Sequence, residues 1–214
     1  MFPAKTQEGS HKTVSAGHHS PISSQALEWV WHYLQDVRKP YILDCGAVSP
    51  ASVRVLAQRG AKVYVADLIA PLQQGDPVYW RRVEKKVVFC LDEFLARLPK
   101  IPAASLQLIC CWHLLDLIPG DQIPGLLNFL LSFLGNDGIL HCFLREPNLK
   151  AGKEGRWWLE SLTTLGAEGE GKGEFPYPAL SNREVEKLTE GYSVKTFLTR
   201  SHRREVVVLK RGDS

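Results

Sequence analysis

YILDCGAVSPASVRVLAQRGAKVYVADL, residues 41–68, consists of two short apolar runs with a helical run between them. The first, YILDCG, ends in Asp44 and Gly46; the second, AKVYVADL, ends in Asp67. Between them, Ser49 can accept a hydrogen bond from an unsatisfied N–H of a first helical turn. Pro50 suits that turn because its missing N–H costs nothing there. Val53, Leu56 and Ala57 recur at helical spacing as a buried stripe, and Gly60 closes the helix. Strand, tight turn, helix and strand within about thirty residues make a βαβ unit, which implies parallel strands.

Upstream, ISSQALEWVWHYLQDVR puts Leu27, Val30, Trp31 and Leu34 on one helical face, and Pro40 ends the run. Residues 1–20 are polar and rich in Gly, Ser and His, and read as a disordered lead-in. Downstream the alternation continues. LIAPLQQGDPVYWRRVEKK reads as a loop or irregular helical piece, VVFC as a third strand, and DEFLARL as a short helix. SLQLICCW is a fourth strand, QIPGLLNFLLSFL a helix, GNDG a turn and ILHCFL a fifth strand. Apolar runs without in-out alternation belong to strands covered on both faces.

RWWLESLTTLG reads as a helix and GAEGEGKGEFPYPA as a Gly- and Pro-rich loop of the kind lids use. Ser181 and Glu184 in SNREVEKLTEG have capping-box spacing. YSVKTFLTRS and REVVVLKR, separated by His202 and Arg203, read as an antiparallel hairpin. The expected fold is a doubly wound, Rossmann-like α/β domain over residues 21–214. It has a mostly parallel seven-stranded sheet ending in an antiparallel hairpin, with residues 145–180 as a lid or specificity segment.

Composition fits this fold. The 214 residues are 44% hydrophobic and 23% charged, enough for one self-sufficient core. A net charge of +3 without a concentrated basic stripe gives no nucleic-acid signal. The longest apolar stretch, LLNFLLSFL, is too short to span a bilayer, and the N-terminal residues contain no apolar signal-peptide run. Cys45, Cys90, Cys110, Cys111 and Cys142 sit in apolar runs without metal-ligand spacing, and read as reduced core residues of a cytoplasmic protein. No metal site is expected, and the oligomeric state is not encoded in any motif.

The order of these pieces resembles the class I S-adenosylmethionine-dependent methyltransferases. YILDCG is similar to that family's first motif, VYVADL to its second, and CLDEFLARLP to its third. LICCWHLLDLIP resembles its fourth-strand exit and LGNDGILHCF its turn into the fifth strand. The sequence departs where the family's acid-x-Gly-x-Gly-x-Gly continues: Ala47, Val48, Ser49 and Pro50 follow Gly46, so two of three glycines are missing. Glycines at such positions let the backbone approach a ligand closely and adopt positive φ.

The resemblance implies S-adenosylmethionine as cofactor, a small-molecule methyl acceptor, and a site at the carboxyl ends of the strands. Asp67 would accept the ribose hydroxyls, with Leu68 beside it, and Asp44 would orient the cofactor's cationic end. Gly46 and Ala47 would line the turn, Asp92 would meet the adenine amino group, and Cys111 and Trp112 would flank it. His113 is the one nearby group that titrates near neutrality, and is the catalytic candidate. The plainer readings are Asp44 as an N-cap or turn acid, Asp67 as a solvated acid at a strand end, Asp92 as a helix-starting acid, Trp112 as core and His113 as a hydrogen-bonded structural residue. Trp157, Trp158, Phe175 and Tyr177 either line an acceptor pocket or cover the sheet. Alignment of donor and acceptor is the main demand of methyl transfer from a sulfonium, so a conspicuous catalytic residue is not required. The alternative is a non-catalytic protein of the same fold that binds a ligand or partner. A nicotinamide-dependent oxidoreductase needs G-x-G-x-x-G after the first strand, which DCGAVSPAS does not supply.

Overall fold

Ser24 opens the first helix as an N-cap, its hydroxyl accepting from Leu27 N–H. In the computed structural model, which describes residues 21–147, 155–168, 176–199 and 203–212, the chain runs β1 (Ile22–Ser23), α1 (Gln25–Tyr33), β2 (Tyr41–Asp44), α2 (Pro50–Gln58), β3 (Lys62–Val65) and α3 (Ile69–Gln73). It continues β4 (Trp80–Val83), β5 (Lys86–Phe89), α4 (Leu91–Leu95), β6 (Leu106–Trp112), α5 (Ile123–Ser132) and β7 (Leu134–Arg145). It closes with β8 (Arg156–Leu159), β9 (Thr164–Glu168), α6 (Asn182–Leu188), β10 (Ser193–Leu198) and β11 (Arg203–Leu209). The lead-in expected at residues 1–20, Phe175 and part of the expected lid lie outside the described residues.

The fold is mixed α/β with a central sheet. Six strands lie in the order β10-β11-β7-β6-β2-β3. β3, β2, β6 and β7 are parallel, whereas β11 pairs antiparallel with β7 and β10 antiparallel with β11. The seven-stranded, mostly parallel sheet is therefore corrected to six described strands, only partly parallel. The missing strand is VVFC. It forms β5, which pairs antiparallel with β4 as a separate ribbon instead of lying beside β3. Glu84, at φ +55, makes the tight link between these two strands, and Phe89 packs against Tyr79 and Phe94. These rings join the ribbon to the main hydrophobic core.

RWWLESLTTLG is also not a helix. It forms β8 and β9, which pair with each other and with β1 in a three-stranded antiparallel sheet. The period there is two: Trp157 and Leu159 are buried, and Trp158 between them is half-buried. Thr163 and Thr164 N–H donate to the Ser161 hydroxyl, closing the turn. GNDG, read as a turn, is taken into β7 as an irregularity in its register against β6.

Other local signals hold. Ser49 caps α2 with Pro50 at its start, Gly60 has φ +83, and Ser181 and Glu184 form the capping box of α6. Ile42, Leu43, Leu108, Ile109, Leu140 and Leu144 are fully buried in the central strands, each contributing about 1.5–3 kcal/mol. The small sheet leans on α2, where Leu159 N–H donates to Ser52 Oγ at 2.9 Å. Among the described residues no helix is long and apolar enough to cross a membrane.

Candidate functional site

β2 lies between β3 and β6, where successive connections leave the sheet in opposite directions. Such a switch point opens a crevice at the strands' carboxyl ends. β2 delivers Asp44 there, the chain after β3 delivers Asp67, and β6 delivers Trp112. Asp44 is 3% exposed. Its Oδ1 accepts from Gly46 N–H at 3.0 Å and from the Trp112 indole N–H at 2.6 Å. Burial pushes the Asp44 carboxyl above the ordinary 3.8, opposed by those two hydrogen bonds and aided by the nearby charge of Asp67.

Gly46 is required by contact, not by backbone conformation: its φ is outside the left-handed region. A Cβ there would lie 2.6 Å from both Cδ1 and Nε1 of Trp112 and 3.1 Å from Asp44 Oδ1. The indole is thus laid directly on the glycine, and Trp112 is 3% exposed. Val48, which stands where the family's first motif continues with glycine, is 49% exposed. Behind the indole the aromatic packing continues through Phe143, 5.7 Å away between ring centroids, to Trp157 at 5.3 Å from Phe143. Arg203 lies over the Trp157 ring at 4.6 Å.

The Asp67 end is different. Asp67 is half-buried. One oxygen accepts from Ala70 N–H at 3.0 Å and the other from Val48 N–H at 3.4 Å. This is a turn acid tying the Gly46–Val48 loop to the start of α3, and two hydrogen bonds leave a carboxylate with unused lone pairs. Arg156 donates to Val48 O, so the small sheet reaches the same loop.

Hydrogen bonds join Asp44 to Gly46 and Trp112, and Asp67 to Val48 of the same loop, so these residues gather at the carboxyl ends of the strands, with Ala47 in the linking loop. Leu68 and Cys111 are buried in the core at 1% and 0% exposure. Asp92 lies exposed in the first turn of α4, on the segment that follows the detached β4–β5 ribbon. His113 is buried, its Nε2 3.2 Å from Gln73 Nε2. Burial pushes the Cys45, Cys110 and Cys111 thiols well above their ordinary range and Cys142 to about 12. At neutral pH these are inert thiols and not nucleophiles.

Sequence reasoning did not anticipate the Trp112–Asp44 bond or the aromatic row behind it. The available signal was an aromatic residue ending an apolar strand beside an acid-x-Gly turn. Nor did it anticipate the buried Ser24–Glu205–His141 network, in which Glu205 Oε2 accepts from Ser24 Oγ at 2.6 Å and lies 2.9 Å from His141 Nε2. Those three residues are far apart in the chain. A groove of about 530 Å³ opens beside that network, lined by Ile22, Gln25, Phe197, Leu198 and Glu205 among others. Its lining includes none of the crevice residues.

No protein-family model matches the chain, and no curated protein does. Among solved structures, the chain is similar to a 1,6-didemethyltoxoflavin-N1-methyltransferase of Burkholderia thailandensis. Identity is 13% over 87% of this chain and 77% of that one, with a TM-score of 0.49. It is also similar to the magnesium protoporphyrin IX methyltransferase of Synechocystis PCC 6803, at 16% identity, 86% and 76% coverage, and TM-score 0.47. A third is an S-adenosylmethionine-dependent methyltransferase of Aquifex aeolicus, at 14% identity, 86% and 88% coverage, and TM-score 0.47. At these values the likeness carries no argument about chemistry, which rests on this chain's own residues.

Proposed function

We propose that this chain is an S-adenosylmethionine-dependent methyltransferase acting on a small-molecule acceptor. The observation that carries the reading is the pairing of Asp44 and Asp67. They stand at the carboxyl ends of adjacent parallel strands, on either side of a turn that has no side chain at Gly46. A nucleoside bearing hydroxyls and an ammonium group needs acceptors so placed. Asp67 retains acceptor capacity for two hydroxyls, and Asp44 offers a buried carboxylate to a cation. The Gly46 face does not fit the cofactor in the arrangement described, because the Trp112 indole fills it. Residues 145–180 are proposed as the specificity segment, since Arg156 reaches the Gly46–Val48 loop. A cytoplasmic setting is proposed from the free thiols at all five cysteines.

The same indole favours a second reading, a non-catalytic protein of this fold that binds a ligand or partner. Calorimetric titration with S-adenosylhomocysteine, alongside thermal unfolding, separates the two. A ligand that binds the native state stabilises it, so the first reading expects heat and a raised unfolding temperature, both reduced in Asp67→Ala. Absence of both in the wild type and in Trp112→Ala overturns it.

A further inference from the structure

Three features converge on residue 112. β6 ends in an irregularity, since Cys110 faces His141 of β7 and Trp112 faces Cys142, two positions against one. Bulges of this kind re-aim a side chain and recur beside binding sites. Trp112 also has a left-handed backbone, φ +50, which bulky side chains adopt only when their surroundings hold them there. Finally, the residue under the ring is a glycine, and any other would overlap the indole. A strand that merely ended in a core aromatic would need none of the three.

Together they deliver the indole N–H to Asp44 at 2.6 Å, in the space where a ligand's cationic donor would meet that carboxylate. We infer that Trp112 is an internal occupant of the crevice, and that a ligand reaches Asp44 and Gly46 only when the indole leaves. The inference rests on the proposed cofactor reading and adds a residue that controls admission. A protein whose competent form is a minor fraction binds with its affinity reduced by that fraction. Removing the occupant therefore tightens binding without adding a contact.

The test uses the full chain labelled with 5-fluorotryptophan, the Trp112 resonance being assigned by its loss in Trp112→Phe. S-adenosylhomocysteine is titrated by fluorine NMR, and by calorimetry on wild type, Trp112→Ala and Trp112→Phe. The Trp112 resonance is expected to move on saturation of the wild type. Trp112→Ala is expected to bind at least tenfold tighter, on the order of the reduction a minor competent fraction imposes. Trp112→Phe keeps a ring over Gly46 and loses the N–H, so it serves if the alanine variant does not fold; a severalfold gain is expected. Binding of equal affinity in all three proteins, with the Trp112 resonance unmoved, overturns the inference and leaves the cofactor reading standing. No binding in any of them overturns both.

Discussion

The two ends of the crevice use the same residue type, Asp44 as the last residue of β2 and Asp67 just beyond the end of neighbouring β3, yet they are in opposite states. Asp44 is sealed: 3% exposed, its Oδ1 taken by Gly46 N–H and by an indole. Asp67 is half-buried and holds two loop N–H groups. The difference comes from the third strand of the crevice. β6 supplies a tryptophan that reaches Asp44, whereas the ribbon that would have flanked β3 pairs with itself and sends no side chain in hydrogen-bonding reach of Asp67 among the described contacts. A carboxylate at a strand end is thus not a ligand site by position alone. What stands on it decides whether it is available.

The largest effect that would sharpen this contrast is expected at the sealed end. Trp112→Ala removes the ring packed on Gly46 and Phe143 and is expected to cost about 3–5 kcal/mol in urea unfolding, less whatever the relaxed backbone at 112 returns. A loss below about 1 kcal/mol would mean that the ring is not part of the core. Gly46→Ala, driving a Cβ into the indole, is expected to cost about 1–3 kcal/mol. At the open end, Asp67→Ala leaves Val48 and Ala70 N–H without their acceptor and is expected to cost about 1 kcal/mol. A larger loss there would erase the distinction between the two acids.

The smallest effect is a pH dependence. Burial raises the Asp44 carboxyl above 3.8, so the folded chain holds that proton more tightly than the unfolded chain does. Its contribution to stability is full below 3.8 and is lost as pH rises through the raised folded value. Asp44→Asn, whose amide oxygen can still accept from the indole, is expected to gain on the wild type as pH climbs through that window. A constant difference between the two across it would show that Asp44 is not desolvated.

Most of the strand–helix alternation was legible because its signals are local. Ser49–Pro50, Gly60 and the Ser181–Glu184 box each act within one helical turn. The errors arose where pairing partners decide. VVFC has the same apolar run whether it joins the main sheet or a ribbon, and the aromatic cluster of Tyr79, Phe89 and Phe94 that settles it is assembled from three segments. RWWLESLTTLG carries enough apolar residues for either period, and its strands are fixed by β1, more than a hundred residues earlier. In the site, Asp44, Gly46 and Asp67 could be placed from the βαβ unit. The closure could not, because it depends on a bulge and a left-handed residue at the end of β6 that composition does not encode.

The most direct test is a double-mutant cycle on Gly46→Ala and Trp112→Ala, read by urea unfolding. If the indole rests on the glycine, the added methyl is costly only while the ring is present, and the two substitutions couple by about 1–2 kcal/mol. Losses that simply add would contradict the contact on which the closed crevice depends.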